Sequence, residues 1–222
     1  MAHRCVLYYI TDRSQFPGDE SARRRALLEK IAEAASAAVD YIQLREKDLQ
    51  ARKLENLARE AARLIEERRP TNKEHSGTTS LLINSRTDVA LAVHAQGVHL
   101  PANDISPSEV RQIVNRSGQQ PHKFVIGVSC HATSDVTQAE SGGADFAVFG
   151  PVFEKSHAPE IQPKTWAELR EACTARIPVL ALGGITLSNA APCLAAGAAG
   201  IAAIRLFQEN KIEEVVRALR RL

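Results

Sequence analysis

Eight short, β-rich apolar runs recur along this chain, spaced so that a helix fits between successive runs, and this alternation restricts the fold more than any other feature. The runs are Cys5–Ile10, Asp40–Gln43, Ser80–Asn84, Gly97–His99, Phe124–Gly127, Asp145–Val148, Pro178–Ala181 and Gly200–Ala203. Between them, Glu20–Ala38, Gln50–Arg68 and Lys164–Ala175 place apolar residues three and four apart, the pattern of a helix with one buried face. Ser106-Pro107-Ser108-Glu109 and Thr186-Leu187-Ser188-Asn189 read as helix starts with hydroxyl caps, the first with proline just inside. The polar stretches 70–79 and 115–123 read as loops. Strict alternation implies a parallel sheet, because a crossover helix is what brings the chain back to start the next parallel strand. Eight such units in 222 residues, without a linker or low-complexity tract, predict one α/β domain over residues 1–222, a (β/α)8 TIM barrel slightly below the usual size. An open, doubly wound sheet is the competing architecture.

Composition removes several function classes. With 28 Lys+Arg against 26 Asp+Glu, the chain lacks the field that non-specific nucleic-acid binding needs. Its apolar runs are strand-length, whereas a spanning helix needs about 18 or more residues, so no membrane segment is expected. Met1-Ala2-His3-Arg4-Cys5-Val6 lacks the apolar core of a signal peptide, and a cytoplasmic location is expected. Cys5, Cys130, Cys173 and Cys193 are scattered without paired spacing, which gives neither a zinc motif nor a disulfide framework. Cys130 reads as a small buried hydrophobe.

In a barrel, chemistry belongs at the C-terminal ends of the strands, and the polar residues of this sequence collect there. After the second run, period two sends Gln43, Arg45 and Lys47 to one face and Ile42 and Leu44 to the other. Three long donors leaving one face form a receptor for an anion such as phosphate; a solvated strand end is the plainer alternative. The third run ends in Asn84-Ser85-Arg86, the fourth leads to Asn103-Asp104, and the fifth ends in Ser129-Cys130-His131. The sixth leads through Gly150-Pro151-Val152-Phe153 to Lys155-Ser156-His157, the seventh to Gly183-Gly184, and the eighth to Ile204-Arg205. Glycines let backbone N–H groups approach an anion, and Arg205 beside them suggests a second phosphate seat, although a tight turn also explains a glycine pair.

From about Tyr8 to Phe207 the chain resembles the thiamine phosphate synthases and their relatives, the thiazole tautomerases. The resemblance rests on Tyr9-Ile10-Thr11-Asp12, Gln43-Leu44-Arg45-Glu46-Lys47, Ile83-Asn84, Gly97-Val98-His99-Leu100, Ile126-Gly127-Val128-Ser129, Gly150-Pro151-Val152-Phe153 and Leu182-Gly183-Gly184-Ile185, in that order. It implies a (β/α)8 barrel that joins an aminopyrimidine-methyl diphosphate to a thiazole phosphate with Mg²⁺ assistance, releasing pyrophosphate. It further implies that Gln43, Arg45 and Lys47 hold the pyrimidine diphosphate with Asn84 and Ser129, and that Gly184, Ile204 and Arg205 occupy the thiazole-phosphate positions. Asp104 is the expected metal carboxylate, and Lys155 supplies charge from a shifted position.

Three departures from the synthase pattern stand out. Ser85 replaces one expected metal carboxylate, Lys155-Ser156-His157-Ala158 replaces a Thr-x-Thr-Lys type of loop, and Arg205 stands where a small hydroxyl residue is common. A tautomerase using His131 for acid–base chemistry is the alternative enzyme, and a non-catalytic binder of phosphorylated ligands is the alternative outside catalysis. His99 reads as a packing residue at a strand end. The expected partners are small phosphorylated molecules; a homo-oligomer is compatible with the sequence.

Overall fold

The computed structural model describes residues 4–68, 78–118, 120–154 and 162–222. Eight parallel strands close into a barrel in sequence order: β1 Val6–Ile10, β2 Tyr41–Leu44, β3 Ser80–Asn84, β4 Gly97–Leu100, β5 Val125–Cys130, β6 Phe146–Phe149, β7 Val179–Leu182 and β8 Gly200–Ala203. β8 pairs with β1, Val6 opposite Gly200 and Tyr9 opposite Ala203, so no edge remains and the open sheet is excluded. The expected strands match these within a few residues.

Both faces of every strand are covered, which is why the runs are almost continuously apolar. Tyr8, Ile10, Leu82, Phe146, Val148, Leu180 and Ala202 fill the barrel interior. Leu7, Tyr9, Ile42, Leu44, Leu81, Ile83, Ala147 and Phe149 face outward into the larger core under the helices. The helices are α1 Glu20–Ser36, α2 Ala51–Glu67, α3 Thr87–Ala92, α4 Pro107–Arg116, α5 Thr133–Ser141, α6 Trp166–Ala172, α7 Ala190–Ala195, α8 Arg205–Gln208 and α9 Ile212–Leu219. α2 buries Leu54, Leu57, Ala58, Ala61 and Ile65, the expected stripe.

Ser106 caps α4 as read from sequence, with a capping box to Glu109 and Pro107 in the first turn. The second hydroxyl-capped start is not formed. α7 begins only at Ala190, with Asn189 at the cap position and no side-chain cap bond. The Thr186 and Ser188 hydroxyls pair with each other at 2.9 Å, while the Asn189 amide accepts from the Thr186 N–H at 2.8 Å and donates to the Gly184 carbonyl at 3.0 Å. Short polar side chains here satisfy a turn before the helix can use them. Of the stretch 115–123, Asn115 and Arg116 still belong to α4, and Pro121–Lys123 forms a 3₁₀ turn. Most of the 70–79 stretch lies outside the described residues.

Candidate active site at the C-terminal mouth of the barrel

The buried polar and charged side chains identify one end of the barrel as special. Thr11, Arg13, Gln43, Glu46, Thr87, His99 and Gln208 are each at most 7% exposed, and all lie at or just beyond the C-terminal ends of β1, β2, β3, β4 or β8. Desolvating polar groups costs free energy unless they find partners, so their confinement to one mouth marks a built site.

At β2, the Gln43 amide N–H donates to Asn84 Oδ1 at 2.8 Å. Its Oε1 is buried and has no partner among the described residues, an acceptor awaiting a donor from a ligand. Arg45 and Lys47 follow on the same side, and neither has a carboxylate within ion-pair distance among the described residues. The Arg45 charge, with a smaller effect of burial, pushes the Lys47 ammonium below the usual lysine range, as two cations sharing a space without a counter-charge must. A cavity of about 330 Å³ opens beside Lys47, Asn84, Ser85 and Arg86 and reaches to Leu44, Glu46, Leu49 and Leu54 on the outer side of the sheet, without Gln43 or Arg45 in its lining.

The residue between the two cations is used differently. Glu46 turns away from the mouth, buried, and accepts from the Thr11 hydroxyl at 2.6 Å and from Arg13 Nη1 at 2.9 Å. Arg13 is also held by Asp48 at 2.7 and 2.6 Å and by Glu20 at 2.8 Å. Thr11 Oγ1 in turn accepts from the Arg45 N–H at 2.9 Å. This clamp ties the β1 and β2 loops together and fixes the backbone from which Arg45 and Lys47 project. It was not read from the sequence; Thr11 belonged to a matching motif, but its partner lies 35 residues away.

At β3, Ser85 donates its hydroxyl to Asp104 Oδ2, and Asp104 Oδ1 accepts from the Ile105 N–H at 2.8 Å. At β4, His99 is fully buried, with Nδ1 2.9 Å from the Tyr8 hydroxyl and Nε2 2.8 Å from Ser129 Oγ. Burial, reinforced by the Arg45 charge, pushes its pKa down to about 3. The packing role expected for His99 is present, and its link to Ser129 is an addition. At β5, His131 is exposed; its Nδ1 donates to the Gly150 carbonyl at 2.9 Å, bridging the β5 and β6 ends. Cys130 is buried, as expected, with its thiol pushed up to about 12 by burial.

On the far side of the mouth, Leu182 pairs with Ala202, so Gly184 and Ile204-Arg205 follow the ends of neighbouring strands. Gly184 has φ 64°, and a Cβ there would meet the Glu154 carbonyl oxygen at 2.6 Å, so backbone conformation and close packing both require glycine. Arg205 opens the short helix α8, which Gln208 locks to β1 by accepting from the Asp12 N–H at 2.8 Å and donating to the Asp12 carbonyl at 3.1 Å. Lys155 lies outside the described residues. The other predicted site residues, Gln43, Arg45, Lys47, Asn84, Asp104, Ser129, His131, Gly184, Ile204 and Arg205, all follow or end strands at this mouth.

Residues 7–207 match the family model described as thiamine monophosphate synthase. The chain belongs to the thiamine monophosphate synthase family. Among curated members, the thiamine-phosphate synthase of Methanospirillum hungatei is 36% identical over 204 residues, covering 90% of this chain and 88% of that one. The thiamine-phosphate synthase of Halalkalibacterium halodurans is 38% identical over 200 residues, covering 89% and 85%. In three dimensions the chain superposes on thiamine phosphate pyrophosphorylase from Pyrococcus furiosus with a TM-score of 0.76 and 27% identity, over 99% of this chain and 95% of that one. Membership of a synthase family accounts for the mouth without acid–base chemistry at His131. No helix among the described residues is long and apolar enough to cross a membrane.

Proposed function

We propose that the chain is a thiamine phosphate synthase, which condenses an aminopyrimidine-methyl diphosphate with a thiazole phosphate and releases pyrophosphate. The observation that carries this reading is the pair Arg45 and Lys47, two cations without carboxylate partners among the described residues, beside the orphaned Gln43 acceptor, in a chain whose relatives bear that name. A diphosphate supplies the missing counter-charge, and an amino group on the pyrimidine supplies the missing donor.

The reaction suits these side chains. The bond between the pyrimidine methylene carbon and the diphosphate oxygen breaks, and its electron pair leaves with the diphosphate. The lone pair of the thiazole nitrogen then forms the new carbon–nitrogen bond. No protein nucleophile is needed; stabilising the charge that develops on the leaving group, and aligning two bound substrates, supply the rate. Arg45 and Lys47 take the first task. Gln43 with Asn84 orients the pyrimidine, while Gly184, Ile204 and Arg205 seat the thiazole phosphate.

Mg²⁺ fits the residues present in a restricted way. Among the described residues no group of three or more His, Cys, Asp or Glu is arranged to hold a metal ion. Asp104 with the Ser85 hydroxyl offers one carboxylate and one neutral oxygen, which matches an ion held chiefly by substrate phosphates and water. Bound there, Mg²⁺ would neutralise diphosphate charge.

Purified protein supplied with both precursors and Mg²⁺ is expected to form thiamine phosphate and pyrophosphate in equal amounts. Absence of product at saturating Mg²⁺, together with His131-dependent isomerisation of a thiazole carboxylate phosphate, would transfer the assignment to the tautomerases. Lys155 is assigned to the same phosphate-binding set on its motif position alone.

A further inference from the structure

We propose that Tyr8, acting through His99, fixes the Ser129 hydroxyl as a hydrogen-bond donor into the diphosphate seat, making Tyr8 and His99 positioning residues for the bound anion. The inference rests on the diphosphate reading above and adds to it the direction of each proton along the chain from β1 to β5.

The direction follows from partner counting. The Tyr8 ring is 0% exposed, and among the described residues its hydroxyl has one partner, His99 Nδ1 at 2.9 Å. A buried donor without an acceptor costs free energy, so the phenol donates and Nδ1 accepts. A neutral imidazole that accepts at Nδ1 carries its proton on Nε2. Because an imidazolium would donate at both nitrogens, acceptance at Nδ1 by itself makes the buried ring neutral. Nε2–H therefore donates to Ser129 Oγ, 2.8 Å away. The serine's own proton cannot return to the histidine and turns to a different acceptor. Ser129 is only half-buried and has no other partner among the described residues, so its proton faces the mouth.

The charge around this chain favours an anionic ligand. The Arg45 charge acts on His99, so the guanidinium lies within electrostatic reach of this chain. A hydroxyl held as donor near a guanidinium without a carboxylate partner among the described residues suits an anionic oxygen, where charge-assisted hydrogen bonds are strongest. The local packing serves the same arrangement. Gly127 faces the ring, and a Cβ there would come within 3.0 Å of His99 Nδ1 and 2.4 Å of the Phe146 ring. A side chain at this position would press first on Phe146 and then on the histidine, and glycine avoids both contacts.

The test uses the full chain in two measurements. Long-range ¹H–¹⁵N spectra of histidine-labelled protein are expected to show His99 neutral and protonated on Nε2. Calorimetric titration with inorganic pyrophosphate is expected to show Ser129→Ala weakening binding about tenfold, as loss of one charge-assisted hydrogen bond does. Tyr8→Phe should weaken it by a smaller factor, and the double variant should bind as Ser129→Ala does. Should Tyr8→Phe fail to fold, His99→Gln, which keeps an N–H toward Ser129, should retain more affinity than His99→Leu. A proton on Nδ1 in the wild-type spectrum would overturn the proposal. So would a Tyr8→Phe loss of equal size with and without the Ser129 hydroxyl, or His99→Gln binding no better than His99→Leu. In those cases pyrophosphate binding that depends on Arg45 leaves the diphosphate reading standing; no pyrophosphate binding by the wild type removes both.

Discussion

Ser85 holds φ at 64°, a conformation that Asp enters more readily than Ser. Its N–H donates to the His99 carbonyl at 2.8 Å and its hydroxyl to Asp104, so the side chain already points at the carboxylate proposed for Mg²⁺. Ser85→Asp therefore adds a second carboxylate without backbone cost. The like charges should lower the stability of the metal-free protein and raise Mg²⁺ affinity at least about tenfold. Titration with Mg²⁺ in the presence of pyrophosphate, and turnover at limiting Mg²⁺, would measure both effects; an unchanged Mg²⁺ affinity would remove Ser85 from the metal site. His99 gives a pH prediction. Its folded pKa of about 3 lies below the ordinary 6.5, so the unfolded chain takes up a proton over a range where the folded chain refuses it. The stability that comes from keeping this ring neutral is fully present above pH 6.5 and is lost progressively as pH falls toward 3, by at most about 1.4 kcal/mol per pH unit. Urea unfolding between pH 7 and pH 4 should show that slope, and His99→Gln should flatten it.

At the scale of elements, the loops after β1 and β2 are made into one rigid unit by charge. Arg13 is 5% exposed and donates two bonds to exposed Asp48, one to exposed Glu20 and one to buried Glu46. Burial raises the Glu46 pKa above the ordinary range while Thr11 and Arg13 pull it down, so the carboxylate is held in place by its partners. Glu46→Ala removes the buried partner and leaves Arg13 to its two exposed ones. A destabilisation of about 3 kcal/mol is expected, as for breaking other buried pairs. A rise in KM for the pyrimidine diphosphate should accompany it, because Arg45 loses the backbone anchor at Thr11. Stability loss with unchanged KM would mean that the clamp supports the fold alone. Period two, carried one step beyond Leu44, puts Glu46 on the face opposite Arg45 and Lys47. It could not supply the partners, because Arg13 and Thr11 meet Glu46 only through the register that sets Ile10 against Gln43. The same limit hid the Tyr8–His99–Ser129 chain, whose members lie 91 and 30 residues apart. The misread start of α7 has a different cause: hydroxyls and an asparagine amide satisfy a turn as readily as a helix end, and one sequence does not say which.

Across the whole molecule the two ends of the barrel divide stability from recognition. At the N-terminal end, Arg220 donates to the Cys5 and Ala38 carbonyls and pairs with Asp40 at 2.8 Å, while Arg111 pairs with Asp145 at 2.7 Å and donates to the Gly143 carbonyl at 3.1 Å. These cations are neutralised. At the mouth, Arg45 and Lys47 have no carboxylate partner among the described residues, and their mutual repulsion is a cost the folded protein carries until an anion arrives. Sequence alone made this division legible as far as the eight βα units and the polar strand ends, since both follow from local period and fold rules. The energetic consequence needs the geometry. Pyrophosphate at one hundred times its dissociation constant should raise the unfolding free energy by about 2.7 kcal/mol, which for a chain of this size moves Tm by roughly 5–10 °C. Arg45→Ala removes the repulsion together with half of the receptor. It should leave the ligand-free Tm equal to or above that of the wild type, return the Lys47 pKa toward the ordinary lysine value, and abolish most of the pyrophosphate shift. Thermal melts of both proteins with and without pyrophosphate decide the matter: an undiminished shift in Arg45→Ala would place the anion elsewhere than at this mouth.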